Sequence, residues 1–150
     1  MSTHIKTSTL QLSASGLEVV RKDAVKAYPD ECCGFLFGTE TEGRKITLAV
    51  PVTNHKDGDK RRRFEIHPQD YLRAERLAAE IGLDLLGVYH SHPEHPALPS
   101  LTDLEMALPY FSYVIVSVKS GKVVDERSWK LNESLGLFEE EFIMQPIHLS

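Results

Sequence analysis

The chain has only two cysteines, one tryptophan and no apolar run near the roughly 18 residues that a membrane-spanning helix requires. A helical span is thereby excluded, and the polar opening Met1 to Ser8 lacks the apolar stretch of a secretory leader. Cys32 and Cys33 are neighbours, a spacing that strains any mutual disulfide and matches no Cys-x-x-Cys metal or redox motif, so a reducing cytoplasm is the expected setting. Positive charge is also short. Seventeen Lys and Arg face 22 Asp and Glu, and a net charge of -5 gives no overall attraction to phosphate backbones or anionic lipid. Neither nucleic acid nor a membrane is therefore an expected partner. The His-Glu-x-x-His zinc motif, the Gly-x-Ser-x-Gly elbow, the phosphate loop and the deaminase signature are all missing.

What remains is 150 residues, 41% hydrophobic and 26% charged, the balance of one domain over 1–150 with a single core. Leu17, Val20, Ala24 and Ala27 recur at helical spacing in a helix from about Ser13 to Tyr28, which Pro29 stops. Cys33 to Phe37 and Lys45 to Val52 read as neighbouring strands. Asn54 to Arg63 is almost wholly polar and reads as an exposed, mobile loop before a short strand at Phe64 to Ile66. Its basic run, Lys60 to Arg63, is in the ordinary case a solvated face, with contact to an acidic partner as the alternative. Pro68 opens a second helix, with Tyr71, Ala74, Ala78 and Ile81 on one face and Gly82 at its close. Leu85 to Tyr89 is apolar throughout, as in a strand covered on both faces, and ends at His90. A helix over about Leu101 to Leu108, strands at Tyr113 to Val118 and Val123 to Trp129, and a last strand or short helix at Leu137 to Met144 complete the reading.

Three of the seven histidines lie within six residues. In an extended segment His90 and His92 point to the same side about 6.5 to 7 Å apart at the backbone, close enough to share one ion. Asp103 supplies the oxygen that would make three protein ligands and leave a fourth position for water, the arrangement of a catalytic zinc. Each piece also has a plain reading: Ser100-x-x-Asp103 and Thr102-x-x-Glu105 are capping-box patterns, and a His-x-His pair can sit on a strand end without binding anything. The joint occurrence of two histidines, a proline, a serine and an aspartate at these offsets favours the metal.

The segment His90-Ser91-His92-Pro93, followed six residues later by Ser100-Leu101-Thr102-Asp103, resembles without gaps the signature of the JAMM, or MPN+, metallopeptidases. Pro29-Asp30-Glu31-Cys32-Cys33-Gly34 is similar to the upstream glutamate segment of that family, and the Asn54 loop and the Phe64 to Pro68 step follow the order of its small prokaryotic members. The resemblance implies an α/β fold with a mixed, partly barrel-like sheet flanked by helices, one zinc held by His90, His92 and Asp103, and Glu31 as general base. It implies hydrolysis after the Gly-Gly tail of a ubiquitin-like or sulfur-carrier protein, such as removal of an added cysteine. Ser100 is expected to donate to the oxyanion. A non-catalytic scaffold of the same fold and a cell-wall or phage-tail type of peptidase are the competing readings, and a homodimer stays open.

Three groups are set aside. His95 is constrained by Pro93 and Pro96 and is expected in solvent. Cys32 and Cys33 are expected to pack rather than attack. Trp129, Phe138 and Phe142 are expected in the core or facing a dimer partner.

Overall fold

The computed structural model describes residues 8–145. Seven strands, β1 (Thr9–Leu12), β2 (Cys33–Thr39), β3 (Arg44–Val52), β4 (Asp84–Pro93), β5 (Ser112–Lys119), β6 (Lys122–Asn132) and β7 (Leu137–Met144), close into a barrel in the order β1-β3-β2-β4-β5-β6-β7. The sheet is mixed: β1 runs parallel to β3 and β7, β4 runs parallel to β5, and the remaining pairs are antiparallel. Among the described residues three helices accompany it, α1 (Ala14–Ala27), α2 (Pro68–Ile81) and α3 (Leu101–Met106). The α/β class with a barrel-like mixed sheet is as expected.

The central strands are apolar on both sides because both sides are covered. Leu36, Leu86, Tyr89, Val114 and Val116 pack with Leu17, Val20 and Ala24 of α1, while Phe35, Phe37, Val88 and Tyr113 pack with Ala74 and Ala78 of α2. Fully burying one such large side chain stabilises the fold by about 1.5–3 kcal/mol. Gly87 allows β4 and β5 to meet at the start of their pairing, where a Cβ would lie 2.1 Å from the Ser112 carbonyl oxygen. Ser13 caps α1 by accepting from the Gly16 N–H, and Gly82 ends α2 in the left-handed conformation (φ 70°) that favours glycine.

Several expectations are corrected. Thr9–Leu12, unassigned from the sequence, is a strand that closes the barrel by pairing with both β3 and β7. Phe64 to Ile66 forms no strand: its main-chain bonds are the His55 N–H to the Glu65 carbonyl (3.0 Å) and the Glu65 N–H to the Asn54 side chain (3.1 Å), which is no ladder. β4 does not stop at Tyr89 but runs through Pro93, since His90 to Pro93 continue to pair with Ile115 to Val118. The third helix ends at Met106, and Ile81 is exposed at the end of α2. Leu137 to Met144 is a strand whose alternation turns Glu141 inward, held by the Ser128 hydroxyl at 2.9 Å, and leaves Phe142 53% exposed. Phe138 does pack edge-on against Tyr113, whereas Trp129 is half-buried and donates its indole N–H to the Ala97 carbonyl.

Candidate active site

Strand register brings the upstream glutamate to the histidines. Cys33, the first residue of β2, lies opposite His90 in the antiparallel β2–β4 pair, so the chain two residues before it runs alongside the position two residues further on β4, and Glu31 arrives beside His92. The approach is fixed by Ser91, whose hydroxyl accepts from the Cys32 N–H at 2.8 Å and whose own N–H donates to the Cys32 carbonyl at 3.2 Å. His90 and His92 project to the α2 side of the sheet, as alternation requires.

The downstream aspartate arrives by a second route. Residues 94–99 leave β4 and are tied to β5 and β6 by the Glu94 N–H to the Val118 carbonyl (2.7 Å), the Ser117 hydroxyl to the His95 carbonyl (2.5 Å) and the Trp129 indole. The loop ends at Ser100, which caps α3. The Ser100 hydroxyl oxygen accepts from the Asp103 N–H at 3.0 Å, while Asp103 Oδ2 accepts from the Ser100 N–H at 2.8 Å. The capping box is therefore real, and it aims the carboxylate rather than competing with a role for it. Asp103 Oδ2 lies 3.3 Å from His90 Nε2 and 3.4 Å from His92 Nε2, and the two Nε2 atoms are 3.1 Å apart.

This donor set fits a small divalent cation. The Pro96 carbonyl, 2.9 Å from His92 Nδ1, can only accept, so that nitrogen carries a proton and Nε2 presents its lone pair in the neutral ring. Two ring nitrogens and a carboxylate oxygen thus converge on one point, the N/O ligation that zinc takes. Glu31, His90 and His92 also place one donor atom each within 4.8 Å of one another, so either carboxylate can complete a triad with the imidazoles. Burial drives His90 towards its neutral form. Burial likewise works to raise Asp103, but the two histidines and the Ser100 N–H outweigh it and hold the carboxyl far below the usual carboxylate range. Glu31 is 5% exposed, and desolvation pushes its carboxyl up to about 8.

His90 Nδ1 is buried without a hydrogen-bond partner. Its ring is held instead by Phe64, stacked at 4.4 Å between centroids and 24° between planes. Phe64, Ile66, Tyr71, Val88 and Tyr113 form the apolar side of a cavity of about 620 Å³, and Glu31, His90, Ser100 and Asp103 form its polar end. Phe64 carries no chemistry of its own in the sequence, and the Phe-x-Ile-x-Pro step is the signal that marks it. Asn54 is the other unassigned contributor. Its amide donates to the carbonyls of Glu31 (3.0 Å) and Arg63 (3.1 Å), and its oxygen accepts from the N–H groups of Lys56 (3.0 Å) and Glu65 (3.1 Å). The expected mobile loop is thus pinned at both ends. Asn54→Ala removes all four bonds and is expected to cost about 1–3 kcal/mol, seen as a lower denaturation midpoint at unchanged slope; an unchanged midpoint would mean that this clip does not hold the loop.

His95 is exposed, as expected, and takes no part in the cluster. Cys32 and Cys33 are free and buried, and burial pushes the Cys33 thiol up to about 12 and Cys32 higher still, the reverse of an activated thiolate.

Comparison with known proteins agrees with this geometry. The prokaryotic homologues of the JAB domain match over residues 13–132. A desampylase of Haloferax volcanii is 35% identical over 115 residues, 73% of this chain and 81% of that protein. A CysO-cysteine peptidase of Mycobacterium tuberculosis is 31% identical over 122 residues, 75% and 82% of the two chains. The solution structure of a protein from Desulfitobacterium hafniense superposes with a TM-score of 0.79 at 30% identity, covering 93% of this chain and 94% of that one. With the family match spanning most of its length and the His-x-His, aspartate and glutamate gathered at one cavity, the chain belongs to the prokaryotic JAB-domain family and is a JAMM-type hydrolase.

Proposed function

We propose that this hydrolase cleaves the bond after the C-terminal Gly-Gly of a ubiquitin-like or sulfur-carrier protein, with His90, His92 and Asp103 holding one zinc ion, Glu31 as general base and Ser100 as oxyanion donor. The observation that carries the reading is the convergence of two Nε2 atoms and Asp103 Oδ2 within 3.4 Å of one another beside the buried Glu31. A bound zinc supplies Lewis acidity, polarising the scissile carbonyl and making water acidic near neutrality.

The chain's own groups do the rest. Asp103 is assigned as the third ligand because its Oδ2 lies against both rings, which leaves Glu31 free to take a proton from the attacking water and return it to the departing amine as the C–N bond breaks. The Ser100 oxygen already accepts from the Asp103 N–H, so its hydroxyl proton is available to the developing oxyanion. Phe64, Val88 and Tyr113 give the cavity an apolar lining beside these groups, and the low local dielectric strengthens the electrostatic contacts at its polar end. The names of two relatives, desampylase and CysO-cysteine peptidase, support a protein conjugate as substrate, and a tail without side chains suits an extended approach to the end of β4. The buried free thiols fit a reducing, cytoplasmic setting.

The test is mass spectrometry of ubiquitin-like carriers bearing an added C-terminal residue, incubated with zinc-loaded protein. Cleavage directly after Gly-Gly, weak or missing on a tail peptide without the globular body, is the expected result. Efficient cleavage of a cell-wall stem peptide with every Gly-Gly carrier left intact would overturn the substrate assignment.

A further inference from the structure

The hydrolysis described above makes no use of the basic run Lys60-Arg61-Arg62-Arg63. Residues 54–63 hold five Lys and Arg against two Asp, a local charge of +3 within a chain of -5, so the remainder carries -8. All four residues of the run are exposed. A run of this kind is ordinarily no more than a solvated face. Here its backbone is built into the active site: the Glu31 N–H donates to the Lys60 carbonyl at 2.7 Å, and Asn54 joins the Glu31 and Arg63 carbonyls through one amide. The Arg62 and Arg63 side chains line the cavity, and the Arg63 guanidinium also donates to the Thr102 hydroxyl on α3. The positive charge is left largely uncompensated. Arg62 meets Asp59 only at 3.8 Å between exposed groups, and among the described residues neither Lys60 nor Arg61 forms an ion pair.

Resting on the reading of a protein tail as substrate, we propose that Lys60, Arg61 and Arg62 form a docking rim for acidic side chains that lie just upstream of the scissile bond. Exposed charges are screened beyond about 10 Å at 0.1 M salt, so a short acidic segment at the cavity mouth senses the local +3. A long polyanion running across the molecule also meets the remaining -8, which favours an acidic polypeptide over nucleic acid. Contacts at this rim are the same before and during bond cleavage, so they set binding and encounter rather than turnover.

The experiment reads binding, not cleavage, so its failure and the failure of the hydrolysis reading are distinguishable. Two dye-labelled peptides, Glu-Glu-Asp-Gly-Gly-amide and Lys-Lys-Lys-Gly-Gly-amide, are titrated with the zinc-loaded full chain and followed by fluorescence anisotropy. The acidic peptide is expected to bind about tenfold more tightly at low salt, with the advantage fading towards 1 M as the screening length falls to about 3 Å. R61E/R62E is expected to reverse the preference with an unchanged thermal midpoint, and R61Q/R62Q to abolish it. Equal binding of the two peptides, or a preference that survives R61E/R62E, overturns the proposal. Tighter binding of a short duplex DNA than of the acidic peptide, lost in R61E/R62E, overturns it in favour of nucleic acid.

Discussion

Glu31→Gln is expected to lower kcat by about two to four orders of magnitude while zinc content stays near one ion per chain. The amide keeps the shape of the carboxylate but cannot accept the proton of the attacking water, and positioned proton transfer of this kind is worth about 10²- to 10⁴-fold. Stability moves the other way. Desolvation pushes the Glu31 carboxyl up to about 8 from an ordinary 4.5. In chelator-treated protein the unfolded chain therefore releases this proton before the folded chain does, and stability falls as pH rises from about 4.5 to about 8. A neutral amide carries no such cost. Chelator-treated Glu31→Gln is thus expected to melt at or above the wild type at pH 7, with the difference closing near pH 4, in thermal scans across that range. Near-normal kcat on a cleaved substrate would remove Glu31 from the base role, and loss of zinc would make it the third ligand in place of Asp103.

That alternative arises from something the sequence does not display. The spacing of His90, His92 and Asp103 is local enough to read from one segment, because alternation on a strand and the first turn of a capped helix fix where each side chain points. Helices with a proline start, a glycine stop and an apolar face, such as Pro68–Ile81, are legible for the same reason. The partnership of Glu31 with His92 depends on the register of β2 against β4, across 59 residues between Cys32 and Ser91, and only the resemblance to a family pointed to it. β1 is illegible on similar grounds, since its pairing partners β3 and β7 begin 35 and 128 residues after it. The Phe64 segment misleads in the opposite sense. Its alternation of Phe64 and Ile66 is that of a strand, but Asn54 takes the main-chain groups a neighbouring strand would need, and the two apolar side chains are committed to the cavity. A polar loop looks mobile in composition, yet a single asparagine ties its two ends together.

Asp103→Ala and His92→Ala are each expected to lose the zinc, to well below a tenth of an ion per chain after dialysis against a mild chelator. Two remaining protein ligands leave half of a tetrahedral site to water, too weak a chelate to hold the ion against a competing chelator. The two variants separate in their second effect. His92→Ala deletes a ring that is 8% exposed and opens a space next to His90 Nε2, and a lower thermal midpoint is expected with it. Asp103→Ala removes one half of the α3 capping box, the acceptor of the Ser100 N–H, so the first turn of that helix loosens and the thermal midpoint falls. Asp103→Asn separates the two roles of this residue: the amide oxygen can still accept from the Ser100 N–H and keep the cap, but it brings no negative charge to the ring nitrogens. Metal analysis beside thermal melts decides the matter. A cap-like midpoint with zinc lost in Asp103→Asn establishes the carboxylate as ligand, whereas stoichiometric zinc retained in both Asp103→Asn and Asp103→Ala would leave Asp103 as a helix cap alone.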